Sequence, residues 1–337
     1  MNKLVSINIL SYNGEKLIGP CLESVFNQNY GDLEIHVIDN ASKDKSIEQI
    51  EIFKSKFQKF PIRITANKEN AGFAAGHNQG IRESNGEYVF CLNQDVVLDR
   101  DFIKNAVGLM EQDKKVGAVQ GRLYKITDIN NPAKEIIDTT GLLIFKNRRV
   151  VNRAQGEKEN GQYLQAEEVF GADGAAPIYR KAALDDAKIN NEYFDEDFFC
   201  YKEDIDLSWR LRLLGWKIFY ESKAIGYHLR GAGETATIRA FEIIRQRKKI
   251  SPFVKLHSFK NQRLMQAKNE LPSLFFRNFF SILIKEKSAW LYVLIFERYS
   301  WKAIKELIKL IPRARQKRKI IMARKKVDAK EMAKWFK

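Results

Sequence analysis

The sequence predicts an α/β fold, a mostly parallel sheet flanked by helices and continued by a helical, basic, amphipathic C-terminal extension. Three observations carry that expectation. Short apolar runs bounded by turn formers alternate with helix-period segments from Leu4 to Gln120. The run Tyr88–Leu92 is apolar at every position, as strands covered on both faces are. The charge is also uneven: of a net +16, Trp301–Lys337 holds 14 Lys and Arg against 3 Asp and Glu.

Taken in order, Leu4–Leu10 reads as a strand, and Gly14–Asn27 as a helix with Leu17, Cys21, Leu22 and Val25 on one face. The second strand, Leu33–Ile38, ends at Asp39. Ser42 then reads as the N-cap of a helix running to about Phe57. Ile62–Thr65 is a strand, Gly72–Glu83 a helix, Tyr88–Leu92 a strand, Asp101–Gln112 a helix, and Val116–Gln120 a strand that closes the series. Strands alternating with helices imply right-handed crossovers and parallel pairing. Asp39 and the polar tip Asn93-Gln94-Asp95 then share the carboxyl edge of the sheet, where open α/β sheets bind ligands. A carboxylate at that tip can hold a divalent cation, or it can cap the next turn.

The dinucleotide fingerprint GxGxxG is absent. Its nearest substitute is NAGFAAGHN, Asn70–Asn78, whose glycines suit either a phosphate at a helix start or tight packing of helix on sheet. Periodicity fades from Leu123 to Gln165, where IDTTGLLIFKNRRVV can form a hairpin without a readable function. Val169–Leu184 packs small residues around Asp173 and Gly174, which fits a ligand approaching the backbone or a tight turn. In Phe194–Lys217, Glu203, Asp204 and Asp206 fall in the first turn of a helix that Gly215 ends. The nearby aromatics, Tyr201 among them, would give the acids the low-dielectric walls that tune a general base, so Glu203 and Asp204 are the catalytic candidates. Asp206 is expected to pair with Arg210 at i,i+4. A following strand delivers His228 to a second polar tip, either as a structural imidazole or as a metal ligand shared with an Asp.

Composition is globular, with 45% apolar and 30% charged residues. Cys21, Cys91 and Cys200 are isolated and read as buried thiols of a reducing compartment. The N-terminal residues lead into a strand pattern without signal-peptide features, and no window is apolar enough to span a membrane. Beyond Gly231 the chain reads as helical, with Phe275, Phe276, Phe279, Phe280, Leu283 and Ile284 forming an apolar surface ahead of the cationic end. That pattern suits helices lying on an anionic membrane surface, or packing on the rest of the chain. Nucleic acid is the other anionic partner, but the tail has no RNP-like or helix-turn-helix signature, so no nucleic-acid partner is expected.

Seven motifs now stand in order: SYNG at Ser11, VIDNASKD at Val37, NAGFAAGHN at Asn70, LNQD at Leu92, FGADGAAPIYR at Phe170, FFCYKEDIDLSWR at Phe198 and YHLRG at Tyr227. Together they resemble the family 2 glycosyltransferases of GT-A fold, and within them the rhamnosyltransferase-like branch that builds bacterial surface polysaccharides such as O-antigen and cell-wall glycans. The resemblance implies a catalytic domain over residues 1–235, with a nucleotide-sugar half to about 122 and an acceptor half from about 123, followed by a membrane-associating region over 236–337. It implies that Ser11, Tyr12, Asn13, Asp39, Asn70, Gly72, Asn78, Asn93, Gln94 and Asp95 serve the nucleotide diphosphate sugar, and that Asp173, Gly174 and Tyr201 serve the acceptor. Asp204 matches the catalytic base. Asp95 matches the last acid of the metal-binding DxD element and His228 a residue that can join it, around Mg²⁺ or Mn²⁺. Asn93 departs from the pattern by replacing the first acid with an amide, which removes an anionic ligand and leaves an inactive, sugar-nucleotide-binding relative as the alternative. The implied activity is inverting transfer, with dTDP-L-rhamnose the favoured donor and a polyprenyl-diphosphate-linked glycan the acceptor. The implied location is the cytoplasmic face of the cell membrane.

Overall fold

The computed structural model describes residues 3–57, 59–230, 245 and 247–337. Strands β1 (Val5–Ser11), β2 (Leu33–Asp39), β3 (Ile62–Ala66) and β4 (Tyr88–Asn93) pair in parallel in the order β4-β1-β2-β3. Helices α1 (Ile18–Phe26), α2 (Ser46–Lys56) and α3 (Gly72–Arg82) link them. The two-residue period of β4 divides its side chains between two cores. Tyr88, Phe90 and Leu92 enter one layer with α1 and with α4 (Phe102–Gln112), while Val89 and Cys91 enter the opposite layer with α3. Continuous apolarity in the sequence is the mark of this two-sided burial.

Two helix starts differ from the sequence reading. Ser42 does not cap α2, because its amide and hydroxyl both donate to the Asp39 carboxylate. The helix opens four residues later at Ser46. Gly14–Leu17 form a turn rather than the first turn of α1, held by the Gly14 N–H donating to Ser46 Oγ at 2.7 Å.

The second half adds β5 (Val96–Leu98), β6 (Val116–Lys125), β7 (Ile136–Thr139), the hairpin β8 (Leu142–Ile144) and β9 (Val150–Asn152), β10 (Glu167–Glu168) and β11 (Pro177–Arg180). Helices α5 (Lys181–Ala187) and α6 (Glu203–Leu213) and strand β12 (Lys217–His228) follow. Strand β11 inserts antiparallel between β4 and β6, so β6 does not continue the parallel series directly. Beyond it β12 runs parallel to β6, and short β5 runs antiparallel to β12.

The C-terminal helices are α7 (Pro252–Asn269), α8 (Pro272–Arg277), α9 (Phe279–Phe296), α10 (Trp301–Arg324) and α11 (Ala329–Ala333). The expected boundary at residue 235 lies outside the described residues. The helices themselves share a hydrophobic cluster with the sheet-bearing part of the chain: Trp209 and Leu213 of α6, Ile144 and Val150 of the hairpin, Leu264 and Met265 of α7, Ile321 of α10 and Phe336 belong to it together. A buried ion cluster crosses the same seam. Asp206 of α6 pairs with Arg210 as its spacing predicts, at 3.0 Å, and also with Lys268 of α7 at 2.9 Å. Lys268 pairs in addition with Asp195, which Lys317 of α10 also contacts. Lys268, Asp206 and Asp195 are all withdrawn from solvent.

Removing one member of such a cluster leaves uncompensated buried charge. Lys268→Ala is therefore expected to destabilise the chain by about 3–5 kcal/mol, read as a lower urea midpoint in equilibrium unfolding.

Candidate active site

Strand register assembles the first part of the site. Val96 of β5 pairs with His228 of β12, and the Leu229 N–H donates to the Asp95 carbonyl at 2.9 Å. The ends of β4 and β12 are thereby tied side by side, with His228 Nε2 3.4 Å from Asp95 Oδ2. His228 Nδ1 lies 2.8 Å from Asp138 Oδ2. Burial lowers the imidazole's affinity for a proton, but the two carboxylates outweigh it and the pKa is raised to about 10. Arg230 completes the row, with Nε 2.7 Å from Asp138 Oδ1 and a terminal nitrogen donating to Asp173 Oδ2 at 3.0 Å.

Residues 173–175 assemble the second part. The Asp173 N–H donates to Gln120 Oε1 at 2.7 Å, and the Ala175 carbonyl accepts the Asn93 N–H at 2.9 Å. Between them the Gly174 N–H donates to Asp204 Oδ2 at 3.0 Å. One short segment thus joins β6, the tip of β4 and the first turn of α6. Burial, then the neighbouring Asp173 charge, push the Asp204 carboxyl up to about 6. Glu203 is buried, its Oε2 has no hydrogen-bond partner, and burial with the adjacent Asp204 raises its pKa well above the usual carboxylate range.

The loop that delivers these acids is strained. Phe199 sits at φ 64°, ψ −62°, with the Cys200 N–H donating to the Phe198 carbonyl at 2.7 Å, a rare three-residue turn. Tyr201 and Lys202 follow at φ 69° and 72°. Bulky residues hold such angles only where their surroundings enforce them. Asn261 of α7 does so: its fully buried amide lies within hydrogen-bond distance of the carbonyls of Phe198, Cys200 and Tyr201, at 3.0, 2.8 and 2.7 Å.

The parts enclose a cleft of about 490 Å³. Of the residues expected from the sequence, Asn93, Asp95, Asp173, Gly174, Tyr201, Glu203, Asp204 and His228 line it. The hairpin contributes Leu142, Val150 and Asn152, and α7 contributes Val254 and Ser258. Ser11, Tyr12, Asn13, Asp39 and Gln94 lie beside it on the same sheet edge and do not line it. Gln94 brackets Tyr12 by accepting from its N–H and donating to its carbonyl. Asp39 is fully buried and bonded to Ser42, and Asn13 is tied to Ser42 and Lys43.

Three expected donor contacts have other work. Asn78 is fully buried, its amide donates to the Phe194 carbonyl and Glu196, and its oxygen accepts from the N–H groups of Tyr193 and Phe194. Its hydrogen-bonding capacity is filled, which leaves none for a diphosphate. Gly72, at φ +84°, is glycine because a Cβ would stand 2.6 Å from the Phe199 carbonyl oxygen and ring. That carbonyl accepts the Ala74 N–H, and Asn70 Oδ1 accepts the Gly72 N–H, so the start of α3 is capped by the chain itself.

The donor set at Asp95 and His228 fits a divalent cation. Cis ligands of an octahedral ion at 2.0–2.1 Å stand roughly 3 Å apart, close to the 3.4 Å between these two atoms.

A family model described as glycosyl transferase family 2 matches residues 6–187, more than half of the chain. The chain belongs to glycosyl transferase family 2. Among relatives of this family 2 chain, a poly-beta-1,6-N-acetyl-D-glucosamine synthase of Staphylococcus epidermidis is 28% identical over 229 residues, 67% of this chain and 50% of that protein. The synthase of the same name from Staphylococcus aureus is 28% identical over 227 residues. The chain thus spans about half the length of the curated relatives it matches. Solved structures share the fold, a GT-A-like mixed α/β architecture. Staphylococcus aureus TarS 1-349 in complex with UDP-GlcNAc aligns at TM-score 0.57 and 17% identity, over 95% of this chain and 89% of that one. The mannosyltransferase PcManGT of Pyrobaculum calidifontis, in complex with GDP-Man and Mn²⁺, aligns at TM-score 0.53 and 15% identity, over 96% and 86%.

Sequence reasoning did not single out Asp138, Arg230 or Asn261. Arg230 stood inside a quoted motif without a role. Asp138 and Asn261 carried no local signal, since each acts through a partner about 60 or more positions away.

The raised pKa of Glu203 has a stability consequence. The folded chain keeps this proton at pH values where the unfolded chain, with an ordinary glutamate pKa of about 4.5, has released it. Its contribution is complete below that value and is lost as pH rises toward the folded pKa. Glu203→Gln keeps the side chain neutral, so its melting temperature is expected to exceed that of the unaltered chain at pH 8 and to match it at pH 4, by calorimetry.

Proposed function

We propose that the chain transfers a sugar, with inversion, from a nucleoside diphosphate donor to a hydroxyl of a membrane-borne glycan in surface polysaccharide synthesis. The observation that carries the reading is the convergence of Asp204 with Asp95 and His228 on one cleft, through the hydrogen bonds of residues 173–175.

Asp204 acts as the general base. With its carboxyl near pH 6 it is mostly ionised at neutral pH, yet basic enough to take the proton of the acceptor hydroxyl as that oxygen attacks the anomeric carbon. The bond from that carbon to the donor phosphate breaks on the opposite face, and the nucleoside diphosphate leaves with the electron pair. A divalent cation held by Asp95 and His228 supplies neutralisation of the charge on that leaving group. Asn93 contributes an amide and no charge, so Asp95 and His228 are the protein's cation ligands. Glu203, kept neutral, is suited to donate a hydrogen bond to a substrate oxygen. The sugar-nucleotide complexes of the TarS and PcManGT neighbours support a nucleoside diphosphate sugar as donor class. Within that class the motif pattern favours dTDP-L-rhamnose, and the relatives named for N-acetylglucosamine make UDP-GlcNAc the rival. A thermal-shift panel of sugar nucleotides distinguishes the two.

The C-terminal helices support a location at a membrane surface. Of the 18 residues of α9, only Ile282 and Val293 are buried. Phe276, Phe280, Ile284 and Phe296 are each about 70% exposed or more. Arg277, Lys287, Lys302, Lys305 and Lys309 stand exposed on α8, α9 and α10. An apolar face edged by cations suits the headgroup plane of anionic lipid, where a polyprenyl-diphosphate-linked acceptor would be presented. No helix among the described residues is long and apolar enough to cross a membrane.

Asp204→Asn is expected to reduce transfer by about 10²–10⁴-fold with the donor dissociation constant unchanged. In the unaltered enzyme kcat/KM should rise with pH through a limb near 6, because the base must be ionised. Wild-type turnover in the variant would remove Asp204 from the role, and donor binding without any release of nucleoside diphosphate by the unaltered chain would contradict transfer itself. Sedimentation with phosphatidylglycerol vesicles at low salt is expected for the full chain and to be lost on Phe280→Asp with Ile284→Asp.

A further inference from the structure

Asp138 is a buried acid that the proposed chemistry does not itself use. It lies in β7 with no measurable exposure, yet it holds two cationic side chains that leave the end of β12, His228 and Arg230. Its place in the sheet is irregular. Thr139 pairs with Leu123 and Ile137 with the next residue, Tyr124, so Asp138 is the additional residue between two adjacent positions of β6. Such bulges turn a side chain away from the regular alternation, and they occur beside active sites. Without this one, the two-residue period would set Asp138 in ordinary register with its neighbours.

The direction of the side chain matters for its partner. An ionised carboxylate only accepts hydrogen bonds, so the 2.8 Å contact requires the proton to be on His228 Nδ1. The contact fixes the ring's position, with Nε2 turned toward Asp95 Oδ2. A histidine fixed through one nitrogen by a carboxylate is the arrangement that prepares the other nitrogen for a metal.

From the bulge, the 2.8 Å contact at Nδ1 and the facing Asp95, we infer that Asp138 is a positioning residue that aims His228 Nε2 into the cation site. The inference rests on the reading of Asp95 and His228 as cation ligands, and it assigns the otherwise silent IDTTG segment to the assembly of that site. Arg230 neutralises the second oxygen of Asp138 and links it to Asp173, so the same buried acid connects the cation side of the cleft with the side that carries Asp204.

The test uses the full chain and Mn²⁺, with binding followed by electron paramagnetic resonance, alone and with UDP, GDP or dTDP. Asp138→Asn is expected to weaken Mn²⁺ binding by about 10–100-fold. Asp173→Asn removes an equal charge from the same row without touching His228, and is expected to leave Mn²⁺ affinity nearly unchanged. Equal losses in the two variants would show an effect of charge alone and overturn the positioning role, as would unaltered affinity in Asp138→Asn. Nitrogen-15 NMR of the unaltered chain with Mg²⁺ gives a second readout that does not depend on a variant folding. The expected tautomer of His228 carries its proton on Nδ1, and a proton on Nε2 instead would overturn the inference. Failure of the unaltered chain to bind Mn²⁺ under every nucleotide condition would also overturn it. Release of nucleoside diphosphate, measured separately, would still decide whether the chain is a transferase.

Discussion

The hydrogen bond from the Gly174 N–H to the Asp204 carboxylate is the contact on which the cleft depends. It docks the first turn of α6 onto a segment that is itself fixed to Gln120 on one side and to Asn93 on the other. Asp204 is thereby tied through hydrogen bonds to the same sheet edge that carries Asn93 and Asp95. The same bond tunes the chemistry. With the Ile205 N–H, which donates to the other oxygen at 2.8 Å, it favours the ionised form of Asp204 against burial and the Asp173 charge. Arg230 restrains Asp173 in turn, and through Asp138 it reaches His228. Acids separated by long stretches of chain are thus coupled within one row of polar contacts.

The C-terminal helices belong to this arrangement as well as to a surface. Helix α7 supplies Val254 and Ser258 to the cleft wall and, through Asn261, holds the three-residue turn ahead of Glu203. Its Lys268 and Asn269 both contact Asp206, in the same first turn of α6 as Glu203 and Asp204. On the far side the hairpin is gripped by the same region: Arg148 pairs with Glu270, and the Lys337 N–H donates to the Ile144 carbonyl at 3.0 Å. One layer of helices contacts both the hairpin and the loop ahead of α6 while α9 presents its apolar residues outward. A membrane on that outer face would lie against the element that shapes the cleft.

Much of the fold was legible because burial on two faces leaves a continuous apolar run, as in Tyr88–Leu92, and because polar residues after such runs mark the edge where strands end. Asp95, Asp204 and His228 were singled out on those terms, and all three line one cleft. The errors have a common physical origin. Glycine and asparagine serve close packing and backbone satisfaction with the same chemistry that they offer a ligand, and at Gly72 and Asn78 the chain's own carbonyls and amides took the place reserved for a diphosphate. Ser42 failed as a cap for the same reason, since Asp39 claimed its hydroxyl. Asp138 was out of reach because a bulge is a property of register between strands, which local periodicity does not contain. The aromatic and aliphatic residues of the C-terminal region read alike whether they meet lipid or protein. The structure sends Leu264 and Ile321 inward and Phe280 and Ile284 outward.

The central claim is that a single carboxylate, Asp204, removes a proton while the acceptor oxygen displaces a diphosphate from the far side. The anomeric configuration of the first-formed product, read by proton NMR against that of the donor, tests this most directly. The account predicts a linkage of opposite configuration to the donor's. A product that keeps the donor's configuration would contradict it.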